Sequence, residues 1–77
     1  MDALKIIKSK LPALSKGQKQ IANYILNHYE KAAYMTANKL GSEVGISEST
    51  VVRFAIELGF DGYPELQKSL KELIKTK

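Results

Sequence analysis

Cysteine is absent from the 77 residues, so neither a disulfide framework nor a thiolate zinc site is available, and the content matches a reducing, cytoplasmic setting. Histidine occurs once, at His28, beside the apolar stripe of a helix and with no cysteine or carboxylate cluster near it, which makes it a residue at the boundary of the core and not a metal ligand. Long apolar runs are missing too. The longest stretch free of charge, Gln20 to Tyr29, falls well short of the roughly 18 apolar residues a membrane-spanning helix requires. The amino terminus has no apolar signal core. There is no phosphate-binding glycine loop, no nucleophile beside a base and no paired carboxylates with an evident apolar pocket. The sequence therefore offers no catalytic residue and requires no cofactor or metal. Gly59-Phe60-Asp61-Gly62 has the GxxG form of a KH-type RNA-binding loop, but that module needs strands and none is indicated.

What is present is one domain's worth of chain with a basic balance. Twelve Lys and Arg stand against eight Asp and Glu, a formal charge of +4 that favours polyanionic partners. The excess lies in the flanks. Residues 1–20 hold Lys5, Lys8, Lys10, Lys16 and Lys19 against Asp2, and residues 64–77 hold Lys68, Lys71, Lys75 and Lys77 against Glu65 and Glu72. Residues 36–59 are slightly acidic, with Lys39 and Arg53 against Glu43, Glu48 and Glu57. If the chain binds DNA, the flanks supply much of the phosphate attraction.

Apolar spacing is helical nearly throughout, and no sustained alternation marks a strand, so the fold class is all-α. A first helix is predicted from an Asp2 cap, with Leu4, Ile7 and Leu11 inward and Pro12 ending it. Ser15 and Gln18 form a capping box for a second helix whose stripe is Ile21, Ala22, Ile25, Leu26 and Tyr29. A linker over Glu30 to Met35 leads to a Thr36 cap and a short third helix ending near Val44. Gly45 supplies a left-handed turn residue, and Ser47 caps a fourth helix to about Leu58. Gly59 stops that helix with Phe60 beyond it, and Pro64 opens a fifth, whose buried face is Leu66, Leu70, Leu73 and Ile74. The tyrosines Tyr24, Tyr29, Tyr34 and Tyr63 are expected in the core or at its boundary.

Residues 36–59 carry the functional signal, because two helices joined by a tight glycine-containing turn are the local signature of a helix-turn-helix. Packing then requires Leu40, Val44, Ile46, Val51 and Phe54 to point inward, and all five are apolar. A small residue is needed where the helices cross, and Gly41 stands there. As a helix-interior glycine it costs up to ~1 kcal/mol against alanine, which close packing has to offset. An ordinary helix corner in a bundle is the alternative.

Ser47, Thr50-Val51-Val52-Arg53-Phe54, Leu58-Gly59-Phe60, Gly62-Tyr63 and Glu65-Leu66 resemble the signature of RpiR-type bacterial transcriptional regulators. The resemblance extends upstream through Leu14-Ser15 and Ile21-Ala22-Asn23-Tyr24-Ile25-Leu26, and so covers nearly the whole chain. It implies a five-helix, homeodomain-like amino-terminal domain that binds operator DNA, normally followed by a sugar-isomerase-like (SIS) domain that senses a phosphosugar. A role in regulating carbohydrate genes follows from the same resemblance. The phosphosugar domain is expected in the full-length protein and does not lie within these residues. Gly41 departs from the family, which more often has alanine there.

In a docked helix-turn-helix the amino-terminal part of the second helix meets base edges, which presents Glu48, Ser49, Val52 and Arg53. A guanidinium can donate two bonds to guanine O6 and N7, making Arg53 the strongest base-reading candidate; its alternatives are a phosphate contact or a surface pair with Glu57. Glu48 could accept from cytosine N4, or simply favour the positive end of its helix. Thr36, Lys39, Ser47, Thr50, Lys16 and Lys19 are the candidates for phosphate contacts. The partners expected are double-stranded operator DNA and a second copy of the chain, since one recognition helix covers only a few base pairs. A helical protein-interaction module that reads no DNA is the alternative function.

Overall fold

The computed structural model describes residues 2–75, which form five α-helices and one 3-10 turn within extents of 30 × 24 × 23 Å. They are α1 (Ala3–Lys10), the turn Leu11–Ala13, α2 (Lys16–Ala32), α3 (Ala37–Val44), α4 (Glu48–Glu57) and α5 (Tyr63–Lys75). Four of the starts are fixed by the cap residues that the sequence places there. The Asp2 carboxylate accepts from the Leu4 and Lys5 amides at 3.0 and 3.3 Å. Ser15 and Gln18 close a full capping box at 3.3 and 3.1 Å, and Thr36 and Ser47 accept from Lys39 and Thr50 amides at 3.1 and 3.3 Å. Each bond satisfies an amide that the helix itself leaves unpaired.

The core forms where α2 meets the other helices. Ile21, Ala22 and Ile25 of α2 are fully buried together with Ile7, Leu40, Val51, Phe54, Leu66 and Leu70. Several expected inward positions are only half-buried. On α1 the buried line is Ala3 and Ile7, with Leu4 and Leu11 half-exposed. Leu11 stands in the 3-10 turn that Pro12 opens, which rotates it off the Ile7 line, and Leu14 is buried in its stead. On α5 the buried face is Tyr63, Leu66, Ser69 and Leu70, whereas Leu73 and Ile74 lie on a last turn that neighbouring elements cover only partly. Val44 and Ile46 are likewise half-buried, at the open end of the α3–α4 corner.

The predicted linker from Glu30 is shorter than expected, because α2 continues to Ala32 through a local departure at His28 (φ −140°, ψ 42°). Alanine is the best helix former, and Ala32 and Ala33 are fully buried against the rest of the fold. His28 itself is exposed, not at a boundary, with its ring 5.1 Å from that of Tyr24. Tyr24 and Tyr29 are half-buried and Tyr63 is buried, but Tyr34 is 70% exposed, with the Lys71 ammonium 5.6 Å from its ring centre. Tyr34 lies in the turn beyond α2, off the helix faces that turn inward.

Candidate nucleic-acid interface

The corner between α3 and α4 is built by two glycines with different tasks. Gly45 adopts φ +76°, and the amides of Gly45 and Ile46 both turn back to the Gly41 carbonyl, the latter at 2.8 Å. A left-handed residue is needed to end α3 in this way. A β-carbon on Gly41 would collide with the Ile46 carbonyl and stand 3.3 Å from Val51 Cγ2, so the helices approach as closely as the sequence pattern requires. At the far end of α4, Gly59 (φ +101°) and Phe60 close a Schellman motif, with Gly59 N donating to Ile56 O and Phe60 N to Ala55 O. Lys10 adds its ammonium to the same end, donating to the Glu57 carbonyl at 3.1 Å.

With Val51 and Phe54 committed to the core, the opposite side of α4 faces solvent. Ser49, Arg53 and Ile56 are exposed and Val52 is half-buried. Glu48, Ser49, Val52 and Arg53, the four residues singled out for base contact, line one shallow hollow of about 490 Å³. Arg53 forms no ion pair with Glu57 among the described residues, which leaves its five donors without a protein partner. Glu48 is less free. Its carboxylate accepts from the Asn38 amide on α3 at 3.4 Å, a link between the two helices that spacing along the chain does not announce.

The phosphate-contact candidates fall into two groups. Thr36, Ser47 and Thr50 are engaged in capping, and the Ser47 and Thr50 hydroxyls lie 2.9 Å apart. Lys16, Lys19 and Lys39 are exposed. The first turn of α2 packs beside the α3–α4 turn, where a β-carbon on Gly17 would stand 3.5 Å from Ile46 Cδ1. Lys16 and Lys19 are thereby brought to the flank of the corner although some thirty positions separate them from α4.

A partly buried polar clasp holds this arrangement from behind, and nothing in the local sequence pattern foretells it. The Tyr63 hydroxyl donates to the Met35 carbonyl at 2.6 Å, and Gln67 Nε2 donates to the carbonyls of Ala33 and Met35 at 3.0 and 3.1 Å. These carbonyls belong to the end of α2 and the segment leading to α3, where no helical amide can reach them. Burial pushes the Tyr63 phenol up to about 12. The same two side chains wall a second hollow, of about 360 Å³, which adjoins the first by sharing Glu48 and Val52. No helix among the described residues is long and apolar enough to cross a membrane.

Known proteins share both the sequence and the shape. The helix-turn-helix domain of the rpiR family matches residues 1–77. The HTH-type transcriptional regulator YfhH of Escherichia coli is 33% identical over 76 residues, covering 99% of this chain and 27% of its own length. HexR of Pseudomonas aeruginosa, also an HTH-type transcriptional regulator, is 35% identical over 73 residues, covering 95% of this chain and 26% of its own. The crystal structure of the N-terminal domain of the transcriptional regulator ybbH from Bacillus subtilis superimposes with a TM-score of 0.87 at 30% identity, over 92% of this chain and 87% of that one. This chain thus spans about a quarter of the length of those two curated relatives.

Proposed function

The chain belongs to the rpiR family of helix-turn-helix domains, and we propose that within a longer regulator it reads a specific operator with α4 in the major groove. As a domain it is a DNA-binding unit of a transcriptional regulator. Arg53 carries the reading: an exposed guanidinium without a partner among the described residues, in the second turn of the helix that a helix-turn-helix presents to base edges. Ser49 and Val52 stand beside it, and Glu48 is steadied by Asn38 at the start of the helix. Lys16, Lys19 and Lys39 neutralise phosphates on the flanks, with Thr36, Ser47 and Thr50 at the helix starts. Two copies bind a near-palindromic site, with half-sites separated by roughly 34–36 Å, one turn of the duplex. A SIS domain beyond these residues senses a phosphosugar, and the genes controlled serve carbohydrate metabolism; the sequence resemblance supports both statements.

Arg53→Ala compared with a Lys16→Ala, Lys19→Ala double variant, on operator and on unrelated duplex, tests the assignment. Loss of a base contact costs about 1–3 kcal/mol on operator and little on unrelated DNA, whereas loss of phosphate contacts weakens both and flattens the salt dependence. Equal losses on the two duplexes for Arg53→Ala would return that residue to the phosphate class. Wild-type binding that barely changes with salt would instead favour an apolar protein-docking surface.

A further inference from the structure

Ile56 is a large apolar side chain that the fold leaves 54% exposed, although α4 has a fully buried face available. Its register explains where it points. Ser49, Val52, Arg53 and Ile56 follow one another at helical spacing, so Ile56 shares the outward face of α4 with the residues proposed to meet DNA. Val52 and Ile56 are the two apolar members of that face, one on each side of Arg53 along the helix axis. Val52 also lies where the two hollows meet, bordered by Ala37, Tyr63 and Pro64 on the side away from Arg53.

An apolar surface pressed into the major groove meets mostly hydrogen-bonding groups, and desolvating one of these against valine or isoleucine leaves it unsatisfied. The thymine 5-methyl is the apolar group that a base pair displays in that groove. We infer that Val52 and Ile56 select thymine through its 5-methyl group, on either side of the base pair that Arg53 contacts. The inference rests on the placement of α4 in the major groove proposed above. Four residues of helix rise by about 6 Å, close to two base steps of roughly 3.4 Å, so the two methyl groups fall within about two base pairs of each other. Arg53 supplies polar discrimination between them, and the apolar pair rejects cytosine and guanine, which carry no methyl there.

Deoxyuridine, which differs from thymidine by that methyl alone, makes the test. The preferred site of the 77-residue chain is first obtained by selection from a randomised duplex library, and each thymine in it is then replaced singly by deoxyuridine. At two positions beside the base pair that Arg53→Ala ceases to discriminate, the replacement is expected to weaken wild-type binding about 3- to 5-fold, the worth of one buried methylene-sized group. One of these losses should vanish in Val52→Ala and the other in Ile56→Ala, while binding to the remaining positions is unchanged. Ile56 is 54% exposed, so Ile56→Ala keeps the inference testable should Val52→Ala loosen the fold. A defined site at which every deoxyuridine is neutral, or equally costly in wild type and variants, overturns methyl reading and leaves operator reading intact. Selection that yields no preferred sequence overturns both.

Discussion

The front and back of the helix-turn-helix treat polar groups in opposite ways. At the back, where α5 crosses the end of α2, Tyr63 and Gln67 supply donors to two carbonyls that no helical amide reaches, those of Ala33 and Met35, and the Tyr63 side chain is buried as it does so. At the front, on the outward face of α4, Arg53 has no partner among the described residues and Ile56 remains in solvent. The back closes its polar groups within the fold, whereas the front leaves its own to solvent. The buried groups must be satisfied because an unpaired one costs about 1–3 kcal/mol, whereas an exposed guanidinium is solvated by water. Substitutions behind α4 should therefore act on stability, and substitutions on its face should act on binding.

The severest test of that division is Phe54→Ala, which empties the fully buried space beneath α4. A loss of about 3–5 kcal/mol in urea denaturation is expected, large enough to unfold much of a small domain. Intact stability would mean that α4 does not rest on this core. Gly41→Ala comes next. Helix propensity alone would gain up to ~1 kcal/mol, but the added carbon meets the Ile46 carbonyl, and overpacking of this kind costs about 1–3 kcal/mol. Net destabilisation, with DNA affinity lowered further by the shifted corner, is the expected outcome; a more stable variant would show that the two helices can part without penalty.

Tyr63→Phe gives the smallest effect and sharpens the comparison through pH. It leaves the Met35 carbonyl with the Gln67 donor only, so a loss of about 1 kcal/mol is expected at neutral pH. The folded-state pKa is raised above the ordinary value of 10.0 to about 12, because burial disfavours the phenolate. The unfolded chain therefore releases this proton first, and the contribution to stability is whole below pH 10 and declines as pH rises from 10 towards 12. Denaturation midpoints across that window should fall more steeply for wild type than for Tyr63→Phe. Parallel curves would exclude Tyr63 as the source of the alkaline sensitivity.

The parts of this fold that were legible in advance share one property: their determinants lie within a few residues of each other. Caps at Asp2, Ser15, Thr36 and Ser47, the left-handed Gly45 and the stop at Gly59 act across one helical turn, and apolar period fixed which side of α2 and of the α3–α4 corner turns inward. The grouping of Glu48, Ser49, Val52 and Arg53 follows from the same local register. Other features depend on which elements meet. Tyr63 and Gln67 reach carbonyls 28 to 34 positions away, and Asn38 reaches Glu48 across the turn. An apolar residue is equally compatible with burial or exposure until its neighbours are in place, which is why Leu4 and Leu73 were expected inward and Ile56 was not foreseen in solvent. Sequence by itself determined the helices and the corner, through short-range hydrogen bonding and period. Tertiary structure decided which polar groups are closed and which apolar ones stay open, because desolvation depends on the packing of distant segments and has no local signature.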